Sequence, residues 1–543
     1  MRILLVVPPY RTADAIINRL FPMPLGLASI AAVLSDAGHE VEIRDFLIPQ
    51  QTHRTAQPLC FRGKRAPAYL HYGQPMDECF RWLDANLDRF DAVGLASCQC
   101  PIFETVEILS AKIRQRKPLV VGGPFATTAP DESVRRFKPN VLVRYEAEPV
   151  VDEAFERAAA GESGVILDGS PVDLASLPLP RWDLSPPKLY PKHGSRIRCV
   201  LSVSRGCPWS CEFCSVFTVM SRKYRSLPRD AIVDQLKHLW SLGVSYFCFV
   251  DDNLFLSRDR VDAVLGAIDD CCRSISKFKT RARFYMEEGM EVRIAAEPGV
   301  VKRAHDAGFE FLSLGVETIN AANLTDQNKP YSPEQMSAAV AECRRANVPA
   351  RAFYIIGFPD DTVESVARDL VEFAGFGMDV RTNNLKLYPG TGTTKRFIAA
   401  GLIDRNFDWR LSTFYTPPTG NIAYDQIKRL KTYLAAFGKS GSMGVNVVLD
   451  SIDDVAAAMA ANRYSLRVRP NGVVSISGNM FRPTEWLRLS EIIAYRCGAM
   501  GASACQEGKT MVVAYPLDGP RDRFQKAIRD AMANAGAPGV VDG

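Results

Sequence analysis

Short apolar runs alternate with helical stretches along most of this 543-residue chain, and no other feature constrains its fold as tightly. In residues 1–160 the runs are Ile3–Val7, Val41–Arg44, Ala92–Ala96, Leu119–Val121 and Val141–Val143, and helices are expected near 25–37, 103–116 and 149–160. Strands interleaved with helices predict a doubly wound α/β domain, whose ligands bind at the carboxyl ends of the strands. From residue 197 strand-then-helix units repeat. Strands are expected near 199–203, 244–250, 281–286, 309–314, 350–356 and 380–387, and helices near 229–241, 258–272, 299–307, 333–346 and 361–375. Six such units predict a partial barrel that does its chemistry at the carboxyl ends of its strands.

Three stretches break the alternation. Residues 47–76, with Pro, Gln, His and Tyr, read as an insertion loop, and 166–196 carry six prolines that predict an extended linker rather than a helix or a central strand. Beyond about 420 the pattern predicts a closing helix at 424–437, short strands at 445–449, 465–468, 473–477 and 511–514, and helices near 452–461, 484–497 and 520–535. That is a small α+β domain whose role the sequence does not give.

The chemistry concentrates in residues 204–215, Ser-Arg-Gly-Cys-Pro-Trp-Ser-Cys-Glu-Phe-Cys-Ser, directly after the first strand of the second region. Cys207, Cys211 and Cys214 place three thiols on one tight loop at C-x3-C-x2-C spacing. Three thiolates so placed hold one face of a [4Fe-4S] cluster and leave one iron open. Buried free cysteines and a zinc site lacking its fourth ligand are the alternatives.

A formal charge of +5, from 66 basic and 61 acidic residues without a basic block, implies neither nucleic acid nor an anionic membrane as partner. The first apolar run reads as a buried strand rather than a signal segment, and no apolar stretch is long enough to span a bilayer. The 14 cysteines show no disulfide framework, so the expectation is a soluble protein in the reducing cytoplasm.

The cysteine loop, with Phe213 at its aromatic position, resembles the signature of the radical S-adenosylmethionine (SAM) enzymes. The resemblance implies that the open iron chelates SAM and that one electron cleaves it to a 5'-deoxyadenosyl radical. It also implies an electron donor such as flavodoxin or ferredoxin. Phe249-Val250-Asp251-Asp252-Asn253 ends strand two, so Asp251 and Asp252 are candidates for the SAM amine or a substrate, with helix capping as the alternative. Leu314-Gly315-Val316-Glu317-Thr318 is similar to a family element that contacts SAM and makes Glu317 the acidic candidate there. Ile355-Ile356-Gly357-Phe358-Pro359-Asp360-Asp361-Thr362 is similar to another, read as a turn and cap. Arg283, Tyr285, Arg351, Tyr354 and Tyr388 are expected to face the pocket by period-two alternation.

Loops of residues 1–160 resemble those of the cobalamin-binding domain found in one subclass of that family. They are Pro8-Pro9, Pro22–Leu27, Ala96-Ser97, Val120–Pro124 and Glu146-Ala147-Glu148. Gly122 and Gly123 let a flat cofactor or its nucleotide tail approach the backbone. The resemblance names Ser97, Cys98, Gln99, Gly122, Gly123, Pro124 and Glu146 as the cobalamin contacts. The Asp-x-His-x-x-Gly motif is missing and His39 follows Gly38 at a helix end, so no histidine is expected on cobalt.

The expected layout is a Rossmann-like, doubly wound cobalamin-binding domain (1–165), a proline-rich linker (166–196), a partial (β/α)6 radical SAM core (197–420) and an α+β domain (421–543). The function implied is methylation of an unactivated carbon of a natural-product, peptide or lipid substrate. A non-methylating enzyme that performs cyclisation, ring contraction or alkyl transfer with the same parts is the alternative. A cobalamin-binding sensor is the non-enzymatic one.

Overall fold

The computed structural model describes residues 1–12, 23–48, 70–97, 103–362 and 379–407, with 365, 366, 369, 373 and 409. Short strands at 52–54, 60–61, 64–65, 465–468, 473–477, 503–507 and 510–514 are described by their backbone alone. Two units divide the chain: Met1–Gly315, Leu324–Val348 and Leu385–Pro417 form one, and Val316–Asn323, Pro349–Asn384 and Pro418–Gly543 the other.

The first unit begins with β1 (Arg2–Val7), continues with β2 (Glu40–Asp45), β3 (Ala92–Ala96), β4 (Leu119–Gly122) and β5 (Val141–Arg144), and adds β6 (Val165–Asp168) at the edge. All six are parallel, in the order β6-β5-β4-β3-β1-β2. A strand buried on both faces needs apolar side chains on both, which is why β1 reads as an unbroken run. Ile3 and Leu5 pack with α1 (Leu25–Asp36) and a later helix (Val151–Ala159), whereas Leu4 and Val6 pack with helices at Met76–Asn86, Phe103–Ile113 and Pro130–Phe137. The strand order turns back between β1 and β3, so the ligand crevice belongs at their carboxyl ends.

Two expectations for this region need correcting. The 47–76 stretch contains strands at Thr52–Arg54, Cys60–Phe61, Lys64–Arg65 and Leu70–Tyr72, and Tyr10–Thr12 and Thr52–Arg54 flank Leu70–Tyr72 in an antiparallel sheet. The first residues of the 166–196 stretch belong to β6, whose side chains alternate between half-buried and exposed because it is an edge strand. A short, half-exposed run ahead of prolines gives little apolar signal.

Continuing the first unit, β7 (Ile197–Leu201), β8 (Val244–Phe249) and β9 (Arg283–Met286) form a second parallel sheet, covered by helices at Arg229–Ser241 and Arg258–Ser274. Ser257 caps the latter by accepting the Arg260 amide. Parallel bridges Phe284 to Phe309 and Met290 to Leu314 extend the pattern toward β10 (Leu312–Glu317), which starts three residues later than expected.

In the second unit β11 (Ala350–Ile356) pairs in parallel with β12 (Asp379–Asn384). Strands Ser465–Val468, Val473–Ser477, Ser503–Glu507 and Thr510–Ala514 make an antiparallel sheet. The expected strand 445–449 and helices 424–437, 452–461, 484–497 and 520–535 lie outside the described residues, as does most of 361–375. Among the described residues no helix is long and apolar enough to cross a membrane.

Candidate active site at the cysteine loop

The cysteine loop leaves the carboxyl end of β7 through a two-stranded ribbon in which Ser204-Arg205 pairs antiparallel with Arg225-Ser226. Gly206 turns the chain at φ +83, and a Cβ there would lie 2.6 Å from the Lys223 carbonyl oxygen, so only glycine fits. The Cys214 amide bonds the Cys211 carbonyl at 3.0 Å and a short helix, Val216–Val219, follows. Residues distant in sequence clamp the loop. Glu212 donates its amide to Gln327, accepts the Thr393 amide on its carbonyl and the Asn328 side-chain amide on its carboxylate. That carboxylate fills the space a Cβ on Gly392 would take.

The surroundings suit a metal cluster. Burial pushes the Cys207 thiol up to about 11 and the Cys214 thiol up to about 12, so both are protonated near neutrality. Iron that displaces those protons gains well-shielded thiolates. The Val216 amide points at Cys214 Sγ (3.5 Å) and the Asn253 side-chain amide at Cys207 Sγ (4.0 Å). Such N–H groups stabilise electron-rich sulfur. Asn253 also donates to Glu291 (3.2 Å), which accepts from Trp209 Nε1 (3.0 Å), and Arg293 lies 4.2 Å from the Trp209 ring centroid. Among the described residues no three His, Cys, Asp or Glu side chains converge on a single ion.

Both strand-end acids make hydrogen bonds within the protein. Asp251 is 2% exposed and accepts the Val203 amide (2.9 Å) and the Ser204 hydroxyl (2.6 Å), so it braces β7 against β8. Burial holds its carboxyl up at about 7. Asp252 accepts the Gly206 amide at 2.9 Å and fixes the loop's turn; burial raises its carboxyl as well. Phe213 lies 5.8 Å below the Lys329 ammonium, which donates to the Gly315 carbonyl. In the second unit Glu317 ends β10 in left-handed backbone, φ 66, a strained state for a residue with a Cβ. There Asp361 accepts the Gly357 and Phe358 amides and the Asn323 side chain, a turn and cap. Tyr354 is 1% exposed and donates to Asp369, so it does not face a pocket. Arg283 turns instead to the start of its strand, near Glu310.

A cavity of about 470 Å³, a size usual for ligand sites, opens at the carboxyl ends of the first sheet. Its walls include Leu5, Val7, Gly94, Ser97, Gly122, Gly123, Pro124, Tyr145 and Glu146. Linker residues Leu174, Leu177–Pro180 and Trp182 add to them, as do Ser204, Arg205, Gln235, His238 and Asp252. The cavity thus collects four of the residues read as cobalamin contacts in the β3 and β4 loops, together with Glu146; Cys98 and Gln99 lie outside the described residues. Ser97 donates its amide and hydroxyl to the Gly122 carbonyl (2.7 and 2.9 Å), and Gly123 stands at φ +116. His39 bonds Asp152 at 2.6 Å and does not line the cavity.

Glu146 proves to be an ion-pair residue. Its carboxylate is held by Arg225 through both oxygens and by Arg205 at 3.1 Å, and Glu148 takes a second Arg205 nitrogen at 2.7 Å. Burial alone would weaken the Arg205 proton, yet Glu148 and Glu146 outweigh it and raise its pKa. Arg225, Trp182, Gln235 and His238 escaped the sequence reading, for no local pattern marks them.

Residues 201–372 match the model of the Radical SAM superfamily, a span that starts at the end of β7 and contains all three loop cysteines. This stretch of the chain is similar to a radical SAM domain. A protein of Pyrococcus horikoshii named as an uncharacterised methyltransferase is 25% identical over 471 residues, 80% of this chain and 92% of its own. The bacteriochlorophyllide d C-8(2)-methyltransferase of Chlorobaculum tepidum is 23% identical over 359 residues, 62% and 75% of the two chains. Among solved structures the radical SAM methyltransferase TsrM of Kitasatospora setae, with cobalamin and a [4Fe-4S] cluster bound, superposes with a TM-score of 0.55 at 17% identity. The match spans 74% of this chain and 78% of TsrM, so the two share an α/β fold over most of their length.

Proposed function

We propose that this chain is a cobalamin-dependent radical SAM C-methyltransferase. Residues 1–165 bind the corrinoid, 166–196 link, 197–420 form the radical core as a partial (β/α)6 barrel, and 421–543 add an α+β domain. The observation that carries the reading is that one cavity is walled both by the glycine loops of the first sheet and by Ser204 and Arg205 at the root of the cysteine loop. Methyltransferase relatives that cover most of their own length support the reaction type.

When bound, the cluster supplies an electron to cleave SAM and cobalamin supplies the methyl group. The residues of this chain bind and shield them. Cys207, Cys211 and Cys214 hold three irons, while Asn253 and the Val216 amide face two of the sulfurs. Asp252 fixes the turn before Cys207 through the Gly206 amide. Gly122 and Gly123 keep the loop at the end of β4 free of side chains, so that the corrinoid rests on backbone. Leu5, Val7 and Phe155 give the cavity an apolar floor that excludes water. Phe213 and Glu317 remain the SAM contacts of this reading, and a small molecule or peptide is the substrate. A flavodoxin or ferredoxin is the electron donor, and the reducing cytoplasm the compartment.

The test is anaerobic purification with iron and corrinoid analysis, followed by SAM and dithionite. About four irons per chain, bound cobalamin and released 5'-deoxyadenosine are expected. Cobalamin without iron would favour the sensor; iron and 5'-deoxyadenosine without cobalamin would remove the methyl-transfer reading.

A further inference from the structure

Arg205 and Arg225 stand directly opposite each other on the ribbon that opens and closes the cysteine loop. Like charges facing across an antiparallel pair repel and weaken the pairing. What joins them is Glu146, 2% exposed, which bonds both: 3.1 Å to Arg205, and 2.8 Å plus a second, shorter contact to Arg225. Glu148, 7% exposed, takes a second Arg205 nitrogen. Arg225 also donates to the Val172 carbonyl in the linker at 2.9 Å. Both glutamates follow β5 of the first sheet, so the root of the cysteine loop is closed by carboxylates that the loop's own sheet does not supply. The charges are also felt further in: Asp252, which accepts the Gly206 amide, lies within electrostatic reach of Arg205, Glu146 and Arg225 and of Cys207 and Cys214.

We propose that Glu146, Arg205 and Arg225 are positioning residues, which lock the root of the cysteine loop to the rim of the cofactor cavity and so set the cluster's place and the charge around it. The inference rests on the cluster reading above. Cluster potentials respond to nearby charge. Removing the Glu146 carboxylate leaves Arg225 without its acid and Arg205 with Glu148 alone, and so favours the reduced cluster; removing a cation does the reverse.

The experiment uses the full chain reconstituted anaerobically with iron and sulfide, with the cluster midpoint followed by electron paramagnetic resonance. Glu146→Gln is expected to raise the midpoint, Arg205→Gln to lower it, and the double variant to return toward the parent. A merely structural role predicts lost stability without opposed shifts. Midpoints that stay put, or that move the same way in both single variants, overturn the inference. If Glu146→Gln loses its iron, Glu146→Asp, which keeps the charge, is expected to restore iron and a near-parent midpoint, and its failure to do so also overturns the inference. A parent chain that holds no iron would defeat the cluster reading itself, and with it the inference, before any variant is made.

Discussion

The backbone of Gly123 lies against the carbonyl oxygen of Ser97 so closely that a Cβ on Gly123 would sit 2.6 Å from it. The contact joins the loops that end β3 and β4, since Ser97 also accepts the Ala126 amide on its hydroxyl and the Phe125 amide on its carbonyl. Gly123→Ala must therefore shift both loops while holding φ near +116, at a cost of roughly 1–3 kcal/mol. Equilibrium dialysis with hydroxocobalamin is expected to show binding weakened by about tenfold or more. Binding unchanged in a folded variant would mean that the corrinoid does not use this loop.

Asp45 at the end of β2 accepts the Tyr190 hydroxyl at 2.7 Å and the Leu47 amide at 2.8 Å, tying the linker to the first sheet. Burial raises its carboxyl from 3.8 to about 6. The folded chain then binds this proton more tightly than the unfolded one, so stability falls as pH rises from about 4 to about 6 and is level above that. The loss is on the order of 3 kcal/mol at most. Asp45→Asn is expected to flatten this part of the denaturation profile. A variant with the parent's pH dependence would show that another group titrates there.

Cys207→Ala, Cys211→Ala and Cys214→Ala are each expected to lower iron well below four per chain and to abolish 5'-deoxyadenosine formation from SAM under dithionite. No described thiol elsewhere joins the loop, for Cys199, Cys248 and Cys271 are buried within the sheet and helix core. A triple alanine variant that still releases 5'-deoxyadenosine would remove the cluster from the reaction.

The sequence was legible where a single periodicity decided the outcome. The runs at Ile3–Val7 and Ala92–Ala96 could be read to within a residue because both faces of those strands are buried and every position is apolar. Val165–Asp168 could not, because an edge strand shows only half the pattern. Cys207, Cys211 and Cys214 announced themselves by spacing alone. The ion pairs of Glu146 were not legible, since its partners Arg205 and Arg225 lie 59 and 79 positions away. The bonds of Asp251 were not legible for a related reason. A carboxylate at a strand end suits a ligand as well as a neighbouring amide, and only the fold brings Val203 and Ser204 within 2.9 and 2.6 Å of it.

The central claim is methyl transfer through cobalamin, and it can be tested without knowing the substrate. The anaerobic chain, loaded with cobalamin and reduced to the cobalt(I) state, is mixed with SAM carrying an isotopic label on its methyl group, and the protein-bound corrinoid and the nucleoside products are analysed together. The account predicts label on the bound cobalamin in step with S-adenosylhomocysteine. Reduced cobalamin that stays unlabelled on a chain still able to form 5'-deoxyadenosine would contradict it and leave the cyclisation or rearrangement reading in its place.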